Sequence, residues 1–134
     1  MYARDNVADA SYLQQRLPAG PQVEAATDML RMLADPTRLR LMSLLSEGEY
    51  DVSALVVAVG MARPAVSQHL GKLRLAGLVG VRREGRRAVY RARGGHVRRL
   101  VTEVLQAASH RVTRGAGTRL SLPPSDSGRR SSRG

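Results

Sequence analysis

Ser67, Gln68, His69 and Lys72 lie within one short run, Pro64-Ala65-Val66-Ser67-Gln68-His69-Leu70-Gly71-Lys72-Leu73. Its apolar members Val66, Leu70 and Leu73 fall at i, i+4 and i+7, which buries one stripe of a helix. Ser67, Gln68 and Lys72 are then left facing outward, with His69 at the edge. Short hydroxyl, amide and imidazole groups donate and accept hydrogen bonds without burying a charge. That is the chemistry required to read base edges from a helix in a DNA major groove. Arg63 and Lys72 flank the polar face with positive charge. An ordinary helical hairpin could carry the same spacing, so the surrounding elements decide between the two.

A second group of candidates follows directly. Leu78 to Arg83 reads as a strand, Glu84-Gly85-Arg86 as a tight turn, and Arg87 to Ala92 as the returning strand, with Val89 on the opposite face from Ala88 and Tyr90. Arg82, Arg83, Arg86, Arg87, Arg91 and Arg93 oppose only Glu84 in this section. Such a basic hairpin after a base-reading helix is the wing of a winged helix, its tip placed to reach phosphates or the minor groove.

The preceding elements position this unit. From Pro21, the residues Val23, Ala26, Leu30 and Leu33 mark one helical face. Asp35-Pro36 supplies a cap and a first-turn proline for the next helix. Leu39, Leu41, Met42, Leu44 and Leu45 make that helix apolar over much of its circumference, so it belongs in the core. Asp51 can cap a third helix, Val52 to Val59, with Leu55, Ala58 and Val59 inward. Gly60 ends it and makes the turn of a helix-turn-helix. After Gly94-Gly95, a final helix from His96 to His110 carries Val97, Leu100, Val101, Val104, Leu105 and Ala108 on one stripe. A strong apolar face beyond a wing pairs with its own copy in a dimer.

Composition narrows the class of partner. The chain has 134 residues and a formal net charge of +11, which points to a polyanion. Lys72 is its only lysine. An arginine-rich genome would also raise the charge, but here the arginines cluster. Aromatic residues amount to four tyrosines, with no Phe or Trp. Single-strand and RNA binders stack bases on aromatic platforms, so duplex DNA is favoured. With no cysteine, disulfides and thiolate chemistry are excluded. No apolar run reaches the length of a membrane span and no signal-peptide pattern opens the chain, so a cytoplasmic protein without a membrane partner is expected. No nucleophile–base pair, carboxylate dyad or phosphate loop suggests an enzyme.

The expected architecture is mainly α with a small β-hairpin, a winged helix-turn-helix in the order α-α-α-α-β-β-α, dimeric through its first and last helices. Residues 1–20 lack sustained periodicity and read as a mobile arm, 21–110 as the DNA-binding and dimerisation domain, and 111–134 as a disordered basic tail.

From Val23 to His110 this order of elements resembles the ArsR/SmtB family of bacterial winged-helix repressors. Three motifs carry the resemblance: Leu33-Ala34-Asp35-Pro36-Thr37-Arg38-Leu39-Arg40-Leu41; Val66 to Leu73; and Gly77-Leu78-Val79 with Arg83-Glu84-Gly85-Arg86 and Val89-Tyr90. It implies a homodimer that binds an inverted-repeat operator and represses until an inducer releases it.

The resemblance also implies places to look for a metal inducer. The family's thiolate site near the positions of Val52 to Leu55 is excluded for want of cysteine. Its site on the last helix uses Asp-x-His near the start and His-x-x-His or His-x-x-Glu near the end. His96 and His110 match that pattern, whereas Gly94 and Ala107 replace the other ligands. His96, Glu103 and His110 are spaced by seven, along one edge of the apolar face, with the histidines ~21 Å apart. They could meet only across an antiparallel dimer, His96 facing His110 of the partner. Nickel, cobalt or zinc prefers four to six ligands, so water, Glu103 or the N-terminal arm would have to complete such a site. The rivals are a repressor of the same fold with a non-metal inducer or protein partner, and a basic architectural or RNA-binding protein.

Overall fold

The computed structural model describes the backbone of residues 2–120 and the side chains of residues 9–115. In chain order the elements are α1 (Tyr2–Arg16), α2 (Gly20–Leu33), α3 (Pro36–Glu47), β1 (Tyr50–Asp51), α4 (Val52–Val59), α5 (Arg63–Leu75), β2 (Val79–Glu84), β3 (Arg87–Ala92) and α6 (Gly95–Leu120). The strands form one antiparallel sheet in the order β1-β3-β2.

Local chemistry sets the boundaries of the helices. The Asp35 carboxylate accepts from the Arg38 amide at 2.9 Å and caps α3, with Pro36 in its first turn. Asp51 caps α4 in the same way through the Ala54 amide at 2.8 Å. Gly60 ends α4 with φ +67°, a conformation that favours glycine. α5 closes where the Gly77 amide donates to the Arg74 carbonyl and the Leu78 amide to the Leu73 carbonyl, both at 3.0 Å. That paired closure turns the chain straight into β2. Glu84 opposes Arg87, so the turn between the strands is Gly85–Arg86, with Gly85 at φ +61°.

α3 runs through the centre. Its Leu41, Met42 and Leu45 are fully buried and meet Val66, Leu70 and Leu73 of α5 in one cluster with Leu55, Leu78, Val79, Ala92, Val97 and Val101. The stripe read from the α5 sequence is therefore the face that holds the helix down. No charged or polar residue is buried among the described residues. The hydrophobic contacts thus fix the helix-turn-helix and hairpin together and leave the polar groups at the surface.

Three features depart from expectation. Residues 1–20 read as a mobile arm with no more than a short helical turn near Tyr12, and the helix observed is longer, Tyr2–Arg16, with all its described side chains exposed. Ala10, Leu13 and Leu17 do make a helical stripe, but Asp9 and Gln14 interrupt it and hide it from a periodicity reading. The tail is expected from residue 111, but α6 continues to Leu120. Thr113 donates to the Ser109 carbonyl at 3.0 Å within this extension. The remainder of that tail, residues 121–134, lies outside the described residues. The third departure is β1, two residues long, which pairs Tyr50 with Tyr90 and Asp51 with Val89.

The face of α2 also divides in a way the sequence did not separate. Leu33 is buried in the core, but Val23 stays 47% and Leu30 52% exposed. On α6, Val97 and Val101 are buried while Val104 and Val112 are exposed. Among the described residues of one chain, nothing covers the outer halves of these two stripes.

Candidate nucleic-acid interface

The polar face of α5 is open. Arg63, Ser67, Gln68 and Lys72 are exposed, whereas Val66, Leu70 and Leu73 of the same helix are buried. His69 is placed differently. Its side chain is 20% exposed and turns toward the start of α3, with Nδ1 at 3.9 Å from the Asp35 carboxylate and 3.5 Å from the Arg38 guanidinium. Arg38 is itself tied down by donating from Nε to the Met32 carbonyl at 2.6 Å. His69 therefore joins α5 to the α3 cap instead of standing on the open face with Ser67 and Gln68. The Arg38 amide, and then the charges of Arg38 and His69, hold the Asp35 carboxyl below its ordinary range.

The wing arginines also separate. Arg82 donates to Glu84 at 2.9 Å and to Glu49, and these two carboxylates raise its pKa further. Glu49 is correspondingly lowered, chiefly by its hydrogen bond from Arg82. Arg87 donates to Asp51 at 3.0 Å. The Asp51 carboxyl is also held low, first by the Ala54 amide and next by Arg87. Arg83 and Arg86 are exposed, and no hydrogen bond or ion pair holds either of them among the described residues. Of the six hairpin arginines named from sequence, Arg82 and Arg87 brace the wing, and Arg83 and Arg86 leave their charge open.

These groups meet in a cleft of about 310 Å³ between the start of α4, the start of α5 and the hairpin tip. Arg63, Arg83, Arg86 and Arg87 line it, and Asp51 is its one carboxylate. Arg63 donates to Ser53 at 3.1 Å, which holds it beside the open face of α5. An anionic oxygen in this cleft would meet several guanidinium groups, the geometry that suits phosphate. Sequence reasoning missed the partners Glu49 and Asp51, because only the two-residue β1 brings them to the hairpin.

Within one chain the candidate metal ligands stay apart, as their spacing along the last helix requires. His96 and His110 are exposed at separate positions along α6, and Glu103 is exposed between them. The His96 Nδ1 lies 3.0 Å from an Arg99 guanidinium nitrogen, so a fixed positive charge stands at the imidazole. No group of three or more His, Asp or Glu side chains could hold a metal ion among the described residues.

A polar-faced helix seated on a helical core beside a basic hairpin defines a winged helix-turn-helix DNA-binding protein. Residues 35–81 match the family model for the bacterial regulatory protein, arsR family. The chain is 44% identical over 89 residues to the HTH-type transcriptional regulator KmtR of Mycobacterium tuberculosis, covering 66% of this chain and 68% of that one. It is 38% identical over 96 residues to the HTH-type transcriptional repressor SmtB of the same species, covering 69% of each. Among solved structures, a homodimeric winged helix-turn-helix DNA-binding domain from Mycobacterium bovis superposes with a TM-score of 0.64 at 35% identity, over 69% of this chain and 85% of that one. The transcriptional repressor BigR from Xylella fastidiosa gives 0.61 at 32% identity, over 65% and 89%. The chain belongs to the arsR family of bacterial regulatory proteins. No described helix is long and apolar enough to cross a membrane.

Proposed function

We propose that this protein is a cytoplasmic, homodimeric repressor that binds an inverted-repeat operator in duplex DNA. Ser67 and Gln68 read base edges from the major groove, with Arg63 and Lys72 at the groove walls. Arg83 and Arg86 hold the backbone from the wing tip. The observation that carries this reading is the open Ser67–Gln68 face beside two uncommitted arginines, on a fold whose core fixes their relative position. The exposed halves of the α2 and α6 stripes, Val23 and Leu30 with Val104 and Val112, support pairing of two copies through those helices. A dimer places two copies of α5 on two half-sites.

The test is competition. A labelled duplex from upstream of the protein's own gene should be displaced by the same unlabelled sequence at concentrations where random duplex of equal length has little effect. Equal displacement by both would favour a basic architectural protein instead.

For release from DNA, the donor groups favour an inducer or partner other than a metal. In an antiparallel pairing of α6 centred on Glu103, that carboxylate lies about 10 Å along the axis from either imidazole, too far to complete their site. Two imidazoles with Arg99 at hand do not make the donor set that zinc, nickel or cobalt prefers. Titration of the DNA complex with each metal, in the wild type and in His96→Ala/His110→Ala, separates the readings. Release by a metal in the wild type and not in the variant would restore metal sensing at these residues.

A further inference from the structure

α1 is a helix whose apolar stripe is left uncovered by the described residues. Ala10, Leu13 and, just past the helix end, Leu17 fall at i, i+3 and i+7, and Leu13 is 60% and Leu17 70% exposed. An isolated helix of this length is marginal in water, so a packing partner is expected. Asp9 and Arg16 stand seven residues apart along the edge of the stripe.

The same molecule carries a groove that none of the described residues fills. Two adjoining concavities of about 580 and 290 Å³ share Ser43 and Leu105 and run along α3 between α4 and α6. Leu39, Leu44, Val59 and Leu105 give it apolar walls, while Arg40 and Glu47 lie along its floor. Neither Arg40 nor Glu47 has an ion-pair partner among the described residues. They too are seven residues apart, so each pair spans ~10 Å of helix. α1 is 15 residues long and α3 is 12, so the groove matches the helix in length.

We propose that α1 of one copy lies parallel to α3 in this groove of a second copy, an inference that rests on the dimer proposed above. Asp9 meets Arg40, Arg16 meets Glu47, and Leu13 and Leu17 press on the apolar walls, as an amphipathic helix seats in a groove. The chain's own groove is a poor target. Only Leu17, Pro18 and Ala19 join α1 to α2, a reach of at most ~10 Å. The first residues of α2, from Pro21 to Ala26, are all exposed and carry that junction away from the core. The occupied groove ties the N-terminus of one copy to α4 of the other, the first helix of the DNA-reading unit.

The absence of cysteine makes the test direct. Full-length Leu13→Cys chains are mixed with Ala58→Cys chains, allowed to exchange subunits and treated with a short bismaleimide. A covalent dimer from the mixture, and none from either variant alone, is expected. The double variant Leu13→Cys/Ala58→Cys reports the other arrangement: an intramolecular cross-link without covalent dimer would overturn the proposal. A second readout needs no cysteine. Arg40→Glu should weaken self-association by about tenfold, and adding Asp9→Arg should restore it to within about twofold. Failure of that rescue in folded protein would also overturn it. Sedimentation of the unaltered chain distinguishes the two levels: a monomer removes both the dimer and this proposal, whereas a dimer with neither cross-link nor rescue removes this proposal alone.

Discussion

Arg82 and Arg83 are neighbours on β2, and Arg86 and Arg87 are neighbours at the turn, yet each pair divides. Arg82 is clasped by Glu49 and Glu84, and Arg87 by Asp51. Arg83 and Arg86 stand open at the same hairpin tip. Alternation along β2 sends Arg82 and Arg83 to opposite faces. The Arg82 face carries Glu84 and meets Glu49, whereas Arg86 lies in the turn beyond the strand that holds Arg87. The net charge of +11 is therefore not evenly available to a polyanion. Part of it holds the wing in place, and part is left for DNA.

The largest expected effect tests the open pair. In Arg83→Ala/Arg86→Ala, DNA affinity at about 0.15 M salt should fall by roughly 10²–10³ across the dimer, and the slope of log affinity against log salt should flatten by up to about 4. The melting temperature should not change. Fluorescence anisotropy over a salt series checks the first, and circular dichroism the second.

Asp51→Ala reverses that profile. It removes the α4 cap together with the anchor of Arg87, so the melting midpoint should drop by several degrees. The salt slope of DNA binding should stay close to that of the wild type. A flattened slope with unchanged melting would mean that the braced and open arginines had been assigned the wrong way round.

Arg82→Ala should be milder, because its ion pairs are exposed and such pairs contribute little each. DNA affinity should stay within about threefold of wild type. The smallest effect is with pH. The Asp35, Glu49 and Asp51 carboxyls are all more acidic in the fold than in the unfolded chain, so the fold binds fewer protons. Their stabilisation is complete above the ordinary carboxylate range near pH ~4 and is lost as pH falls through the lowered values. Melting midpoints should hold from neutral pH to about 5 and decline below about 4. Arg82→Ala should flatten part of that decline through Glu49.

The parts of the fold written in local chemistry were legible in the sequence. Asp35-Pro36 marks the start of α3, Gly60 the end of α4, and Val66, Leu70 and Leu73 the buried side of α5. Each signal lies within a few residues of the structure it directs. What escaped reading depends on distant partners. Glu49 meets Arg82 across 33 residues, through a strand too short to show a period. His69 sits beside Gln68 in the sequence, but Asp35 and Arg38 draw it toward α3, 31 residues away from Arg38. At the candidate site, then, residue type marked Ser67, Gln68, Arg83 and Arg86 correctly as exposed polar groups. It could not separate them from His69, Arg82 and Arg87, whose partners arrive only on folding.

The central claim is that the exposed face of α5 reads sequence. Its most direct test compares wild type with Ser67→Ala/Gln68→Ala on two duplexes, one from upstream of the protein's own gene and one random, at a single salt concentration. A bidentate contact to a base edge, of which the Gln68 amide is capable, supplies about 1–3 kcal/mol of discrimination. The account therefore predicts that affinity for the first duplex falls by roughly ten- to a hundredfold, while affinity for the random duplex stays within about twofold. An equal loss on both duplexes, or no loss on either, would contradict it.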